Sequence, residues 1–445
     1  MQFKDFLIGP LFLIIILSIA WMIRRNVTQK EDRKYFFPAL LLRLFGALGL
    51  GLLYDFYYGG GDTFTFHRHG SRIIWSSLFD DPVIWWQLMT QPGEYLPKSF
   101  EYARNIWVFR DSASYFVVRA AALFDTFTFG SYVGTAFCFA FIAFLSHWMM
   151  YRAFSRLFPA IRRYIAYAVL FIPSIVFWGS GILKDTITLA ALCWLVYFFI
   201  EFFIQKRRSL WLILLAILSA YTLFYVKIYI FLIAVPCLLL WWTSRNIGKI
   251  KDPLIKALAM PFIGSVLLVG SYYAMIIVGE QNKKYKLENI AETVQVQAYD
   301  IAFWTGRGAG STYDLGELDG TWESMFRLAP QAINVALFRP YPWEVRNPLM
   351  VLSMIESLGM MLFTLYIFTR TGIKEMIINL KRPEVLFCLA FSFGFAFATG
   401  ISTFNFGTLS RYRIPLLPFY VLGLLIIWYY QEVRKFDKKL AFMKY

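Results

Sequence analysis

LIGPLFLIIILSIAWMI, residues 7–23, holds one hydroxyl and no charge, and Arg24-Arg25 follow it at once. Coiled at about 1.5 Å per residue, such a run reaches most of the way across a hydrocarbon core of about 30 Å. A cleaved leader carries its basic residues before the apolar stretch, so the reverse order here predicts a retained helix. Ten further apolar runs follow, at about 37–57, 130–150, 164–179, 186–204, 209–226, 228–243, 258–279, 347–369, 384–401 and 414–430. Together they predict an all-α, polytopic transmembrane bundle of about eleven spans, a single integral membrane domain over residues 1–445. The runs at 164–179 and 228–243 are short for a span and are expected to tilt little or to have shielded ends.

Composition points the same way. The 445 residues are 59% apolar and 16% charged, and mean hydropathy is +0.55, where a soluble domain has about 45–50% apolar and about 25% charged residues. A soluble enzyme, a disulfide scaffold, a disordered tail and a single anchor carrying a folded head are all excluded. The net charge of +16 would suggest nucleic acid in a soluble protein. No basic module of domain size exists here, so nucleic acid is not an expected partner, and cytoplasmic loop charge accounts for the excess. Cys138, Cys193, Cys237 and Cys388 each stand alone in an apolar run, without metal or redox spacing.

Charge sets the expected topology. Basic clusters lie at Arg24–Lys34, Arg152–Arg163, Lys206–Arg208, Arg245–Lys256, Arg370–Arg382 and from Arg434 to Lys444. Eleven spans place every cluster on one side, read as cytoplasmic, with the N-terminus out and the C-terminus in. Two long outer segments result, 58–129 and 280–346. The first carries amphipathic stretches at Ser71–Phe79 and Val83–Met89, where Trp75, Trp85 and Trp86, with Trp107 further on, suit helices in the headgroup zone; Pro92, Gly93 and Pro97 divide it. The second carries Thr305-Gly306-Arg307-Gly308-Ala309-Gly310-Ser311, expected as a turn or mobile lid in preference to a phosphate cradle. No internal repeat is visible.

Ionisable residues in or beside spans are costly and are the places to look for function. Gly59-Gly60-Gly61-Asp62 follows the second span, with Asp55 before it and His67 and His69 after. Asp62 at an apolar boundary suits a general base, or the cap of a helix starting at Thr63. The histidines make a weak metal pair. Lys184-Asp185 sits in a turn, where the two neutralise each other, Asp185 caps the next helix, or Lys184 meets a lipid phosphate. Lys227 is expected to snorkel. Arg411 and Arg413, in Ser410-Arg411-Tyr412-Arg413-Ile414-Pro415, lie outside by charge and call for an anionic partner. Arg339 and Glu344 flank a loop stiffened by Pro340 and Pro342. Arg43, Arg119 and Asp125 are expected to pair or to face the bundle interior, and Arg43, Glu201 and Glu356 are the few polar residues in or near spans that a transporter could use. A carboxylate and several cations on one face suit a phosphate-bearing lipid substrate.

The Gly59-Gly60-Gly61-Asp62 … His67 exit, the amphipathic helices after it and Ser410-Arg411-Tyr412-Arg413-Ile414-Pro415-Leu416-Leu417-Pro418 resemble GT-C type glycosyltransferases that use polyprenyl-phosphate-linked sugars. The resemblance implies a multi-pass protein of a bacterial-type inner membrane that moves a sugar to a glycan, lipid or protein acceptor on the outer face. It assigns Asp62 as base or metal ligand, with a divalent cation as the cofactor it allows, and Arg411 or Arg413 as holders of the carrier phosphate. In the family this loop usually follows the first helix; here it follows the second. Three other readings remain open: a Wzy- or EpsG-like polysaccharide polymerase, which would lean on arginines and could dispense with Asp62, a lipid or ion transporter, and a structural subunit of an envelope complex.

Overall fold

The computed structural model describes residues 2–91, 93–281, 286–306 and 310–442. Arg307, Gly308 and Ala309 of the glycine-rich turn, Pro92 and Lys444 lie outside the described residues. Among the described residues helix is the dominant structure, and the one extended pairing is an antiparallel bridge between Thr312 and Asn405. Eight described helices are long and apolar enough to cross a membrane: Phe3–Val27, Arg33–Tyr57, Tyr132–Leu157, Lys184–Ile204, Ile228–Ile247, Pro348–Thr371, Pro383–Thr403 and Leu416–Phe436.

Helix covers most of each remaining apolar run as well. Leu210–Val226 is a shorter apolar helix, and Pro253–Gln281 covers the run at 258–279. The run at 164–179 is two pieces, Arg162–Leu170 and Pro173–Trp178. Pro173 lacks the N–H that would continue the first piece, but it is well placed at the first turn of the second. The run at 228–243 extends to Ile247 and is not short. The amphipathic stretches of the first long segment form Arg72–Asp80 and Pro82–Thr90, separated by Asp81, whose carboxylate accepts the Val83 N–H at 2.8 Å as an N-cap.

The chain packs as two compact units. The first comprises Met1–Ala153 and Val169–Ile228. Its core is aromatic: Phe36 meets Phe144 and Trp148 with ring centroids 5.0 and 4.9 Å apart, and the Trp148 indole donates to Val27 O at 2.8 Å. Arg43 is buried here and donates to the Ile175 and Gly179 carbonyls at 3.0 and 2.6 Å. It caps the end of Pro173–Trp178, where helical carbonyls lack partners and carry partial negative charge.

The second unit comprises Phe154–Ala168 and Tyr229–Tyr445. Phe387, Phe391 and Phe395 repeat every four residues, so they stack on one face of Pro383–Thr403, and Phe419 fits edge-on 5.0 Å from Phe391. Gly400 lets that helix touch Ala329–Phe338 directly, because any Cβ there would meet the Ala332 carbonyl oxygen at 2.0 Å.

Candidate functional site

In the first unit, Gly59, Gly60 and Gly61 all have positive φ, and a Cβ on Gly61 would strike the Tyr54 ring at 2.6 Å. These glycines permit the turn that ends the second long helix. Asp62 follows as the first residue of the short helix Asp62–Phe66; the capping position is Gly61, so Asp62 is not the N-cap. Its side chain is exposed at the protein surface. Asp55 pairs with Arg68 at 2.8 Å, and the Arg68 guanidinium lies over Phe64.

His67 is buried, with Nε2 3.3 Å from Asp125, which also accepts from Ser71 and Thr135 at 2.6 and 2.5 Å. At 2% exposure His67 presents no surface for a substrate. His69 instead stacks on Trp107, centroids 3.9 Å apart, so the two histidines serve different neighbours. Among the described residues, no three His, Cys, Asp or Glu side chains gather to hold a metal ion.

Lys184 and Asp185 do not neutralise each other. Lys184 reaches Asp111 at 3.1 Å, and Asp185 pairs with Lys227, the two side chains being 2% and 11% exposed. Lys227 therefore turns inward to a carboxylate and does not snorkel. Asp185 is the second residue of its helix, whose cap position is Leu183. Burial pushes the Asp111 carboxyl up, but the Ser114 hydroxyl and the Lys184 ammonium outweigh it and hold the group below the usual carboxylate range. Arg119 donates to the Met89 carbonyl at 3.0 Å, and Glu201 pairs with Arg207 at 3.2 Å.

In the second unit the two arginines before the last long helix differ. Arg411 is half-buried on the helix Phe406–Tyr412, its guanidinium 6.0 Å from the Tyr412 ring. Arg413 is 1% exposed. It donates to Ser357 Oγ at 2.8 Å, Arg339 O at 3.1 Å, Glu356 at 3.2 Å and Ala336 O at 3.4 Å. Ala336 O ends a helix four residues before Pro340, which has no N–H to give it, and Arg413 supplies the missing donor. The guanidinium is committed to the fold.

Arg339 and Glu344 line an open cleft of about 900 Å³. Its floor is the pairing of residues 311–313 with 404–406: Tyr313 N donates to Phe404 O at 3.2 Å and Phe406 N to Ser311 O at 2.8 Å. The Tyr313 hydroxyl, which burial pushes up and so keeps neutral, bonds Gly400 O and Thr403 at 2.9 and 2.7 Å. One wall is the Arg339–Glu344 fork, with Arg339 Nε 3.0 and 3.1 Å from the two carboxylate oxygens. Glu344 also accepts the Tyr341 N–H at 2.8 Å. Arg339 lies over the Tyr313 and Phe406 rings. Both members of this fork are thus fixed parts of the wall.

The groups with chemistry to offer are others. Arg346 and Glu317 line the cleft, both exposed, and neither side chain has a partner among the described residues. Trp343, 79% exposed, and Tyr299, 45% exposed, also line the cleft, and Trp343 is steadied by stacking on Tyr341 at 4.9 Å. Free cation, free carboxylate and flat aromatic faces suit an anionic group joined to a ring with an apolar face. Sequence reading found Arg339 and Glu344 but not Tyr299, Glu317 or Arg346. The available signal was an aromatic and charged segment, Tyr341 to Arg346. No protein-family model, no curated protein and no solved structure matches this chain.

Proposed function

We propose that the protein is a membrane-embedded glycan transferase that takes a sugar from a polyprenyl-phosphate carrier, with the cleft of the second unit as its site. The observation that carries this reading is the pairing, in one cleft, of an unpartnered Arg346 and an unpartnered Glu317 with exposed aromatic faces. Trp343 stacks on the sugar, and Arg346 grips the carrier phosphate bidentately. Glu317 takes the proton of the acceptor hydroxyl as its oxygen attacks the anomeric carbon. The bond from that carbon to the phosphate oxygen breaks, and the electron pair leaves with the phosphate, whose growing charge Arg346 stabilises. The acceptor is a glycan, lipid or protein hydroxyl. A GT-C-like bundle of about eleven spans, an outward-facing cleft, an outer N-terminus, an inner C-terminus and residence in a bacterial-type inner membrane belong to the same proposal.

Within glycan chemistry, one feature favours the polymerase variant: Asp62 does not line the cleft, and the group there that can hold a phosphate is an arginine, Arg346. The Asp62-based reading places the base on the glycine turn instead. Membranes supplied with a lipid-phosphate-linked sugar separate the two. Loss of transfer in Glu317→Gln and Arg346→Ala, with Asp62→Asn active, supports the cleft. Loss in Asp62→Asn alone restores the other base, and full activity in all three variants at normal protein levels removes the proposal.

A further inference from the structure

Ser112–Thr128, Lys184–Phe199 and Leu210–Val226 of the first unit, with part of Tyr132–Leu157, enclose an apolar groove of about 370 Å³. Its walls begin at one charged end. Phe116 follows Asp111 by five residues, Thr186 follows Lys184 by two, and Thr222 precedes Lys227 by five. At 1.5 Å per residue the charges therefore stand about 3–8 Å beyond the groove's mouth. From there the walls run to Phe124, Trp194 and Leu215, about 10–12 Å of helix. The hydroxyls in the lining do not make it polar: Ser219 and Thr222 return their protons to Leu215 O and Leu218 O at 2.7 and 2.8 Å. Leu123, Ile142 and Leu218 are exposed at the groove's open side. The shape and lining fit one hydrocarbon chain entering sideways.

The four charges at the mouth pair off, and Arg119, a further cation with its guanidinium 5.9 Å from the Phe116 ring, is turned to the Met89 carbonyl at 3.0 Å. Asp185 and Lys227 pair with each other, whereas Lys184 gives Asp111 one of its three N–H groups and Asp111 stays half exposed. A phosphate beside Lys184 with an ammonium beside Asp111 matches this pattern. A lipid with net negative charge would set an unmatched anion against Asp111. We infer that the first unit binds a zwitterionic phospholipid, one chain in this groove, its phosphate on Lys184 and its ammonium against Asp111. This site shares no residue with the proposed transfer cleft and stands without it.

Full-length protein reconstituted in vesicles of phosphatidylethanolamine, phosphatidylglycerol and polyprenyl phosphate, then released in detergent, reads retained lipid by native mass spectrometry. Each charge-assisted contact is worth about tenfold in affinity. Wild type is expected to hold phosphatidylethanolamine about tenfold over either anionic lipid. Lys184→Met lowers retention about tenfold, and Asp111→Asn, still a competent helix cap, erases the preference. Ala190→Trp fills the groove and abolishes retention. Equal or greater retention of either anionic lipid by wild type, or unchanged retention in Ala190→Trp, overturns the inference. Should Ala190→Trp fail to fold, a phosphatidylethanolamine with a photoreactive acyl chain gives the answer on wild type. Label must concentrate in residues 116–124, 186–194 and 215–222; even labelling that extends over Pro348–Thr371 counts against the site.

Discussion

Replacing Arg413 with alanine is expected to loosen the second unit, not to remove a substrate contact. The guanidinium is 1% exposed and donates to Ser357, Arg339 O, Glu356 and Ala336 O. Alanine leaves the Ala336 carbonyl without a donor, because Pro340 cannot provide one, and takes the cation away from Glu356. Breaking a buried charged network on one side costs about 3–5 kcal/mol. In a unit of about 230 residues, one kcal/mol moves the midpoint by about 2–4 °C, so the fall is about 6–20 °C. Fluorescence-detected size exclusion after heating measures it on detergent-solubilised protein. Arg346→Ala is the matched control: an exposed cleft arginine without partners costs about 0.5 kcal/mol or less while transfer is lost. An unchanged midpoint in Arg413→Ala together with lost transfer would refute this reasoning and return Arg413 to the substrate.

Three further outcomes follow from the packing. Lys227→Met removes the ammonium facing buried Asp185 and is expected to cost about 3–5 kcal/mol, whereas adding Asp185→Asn recovers part of the loss; the heating assay checks both. Gly400→Ala drives a methyl into the Ala332 carbonyl and is expected to cost the upper part of the about 1–3 kcal/mol typical of overpacking, or more, with loss of the monodisperse peak. Because Asp111's folded value is depressed, its pair with Lys184 contributes in full above the ordinary carboxylate range and is lost as pH falls through the depressed value. Stability measured against pH is expected to lose that acid-side slope in Asp111→Asn, whose deficit against wild type is greatest near neutrality and closes as the pH falls through the depressed value.

The length of the apolar runs carried the helical architecture, since a membrane helix announces itself in eighteen or so consecutive apolar residues. The amphipathic helices Arg72–Asp80 and Pro82–Thr90 were equally legible, from the placement of their tryptophans. The break at Pro173 was written in the proline itself, although hydropathy ran straight over it. Partner choice was not legible. Lys184 and Asp185 are adjacent in sequence, yet their partners are Asp111 and Lys227, 73 and 42 residues away. Arg411 and Arg413 look interchangeable in a motif, but a turn of backbone buries one and leaves the other half-buried. Arg413's role depends on Pro340 leaving a carbonyl orphaned in a distant helix, a fact of packing. The cleft escaped for the same reason: Ser311–Tyr313 meets Phe404–Phe406 across some ninety residues, and only that pairing gathers Glu317, Trp343 and Arg346 around one space.

The central claim is that sugar and carrier phosphate sit in the second unit's cleft. A polyprenyl-phosphate-linked sugar bearing a photoreactive group on the sugar ring, crosslinked to the full-length protein and mapped by peptide mass spectrometry, tests it most directly. The account predicts label on Tyr299, Trp343 and the segment around Glu317, lost in Arg346→Ala. Label on the Tyr54–Ser71 segment around Asp62, with none in the cleft, would contradict it.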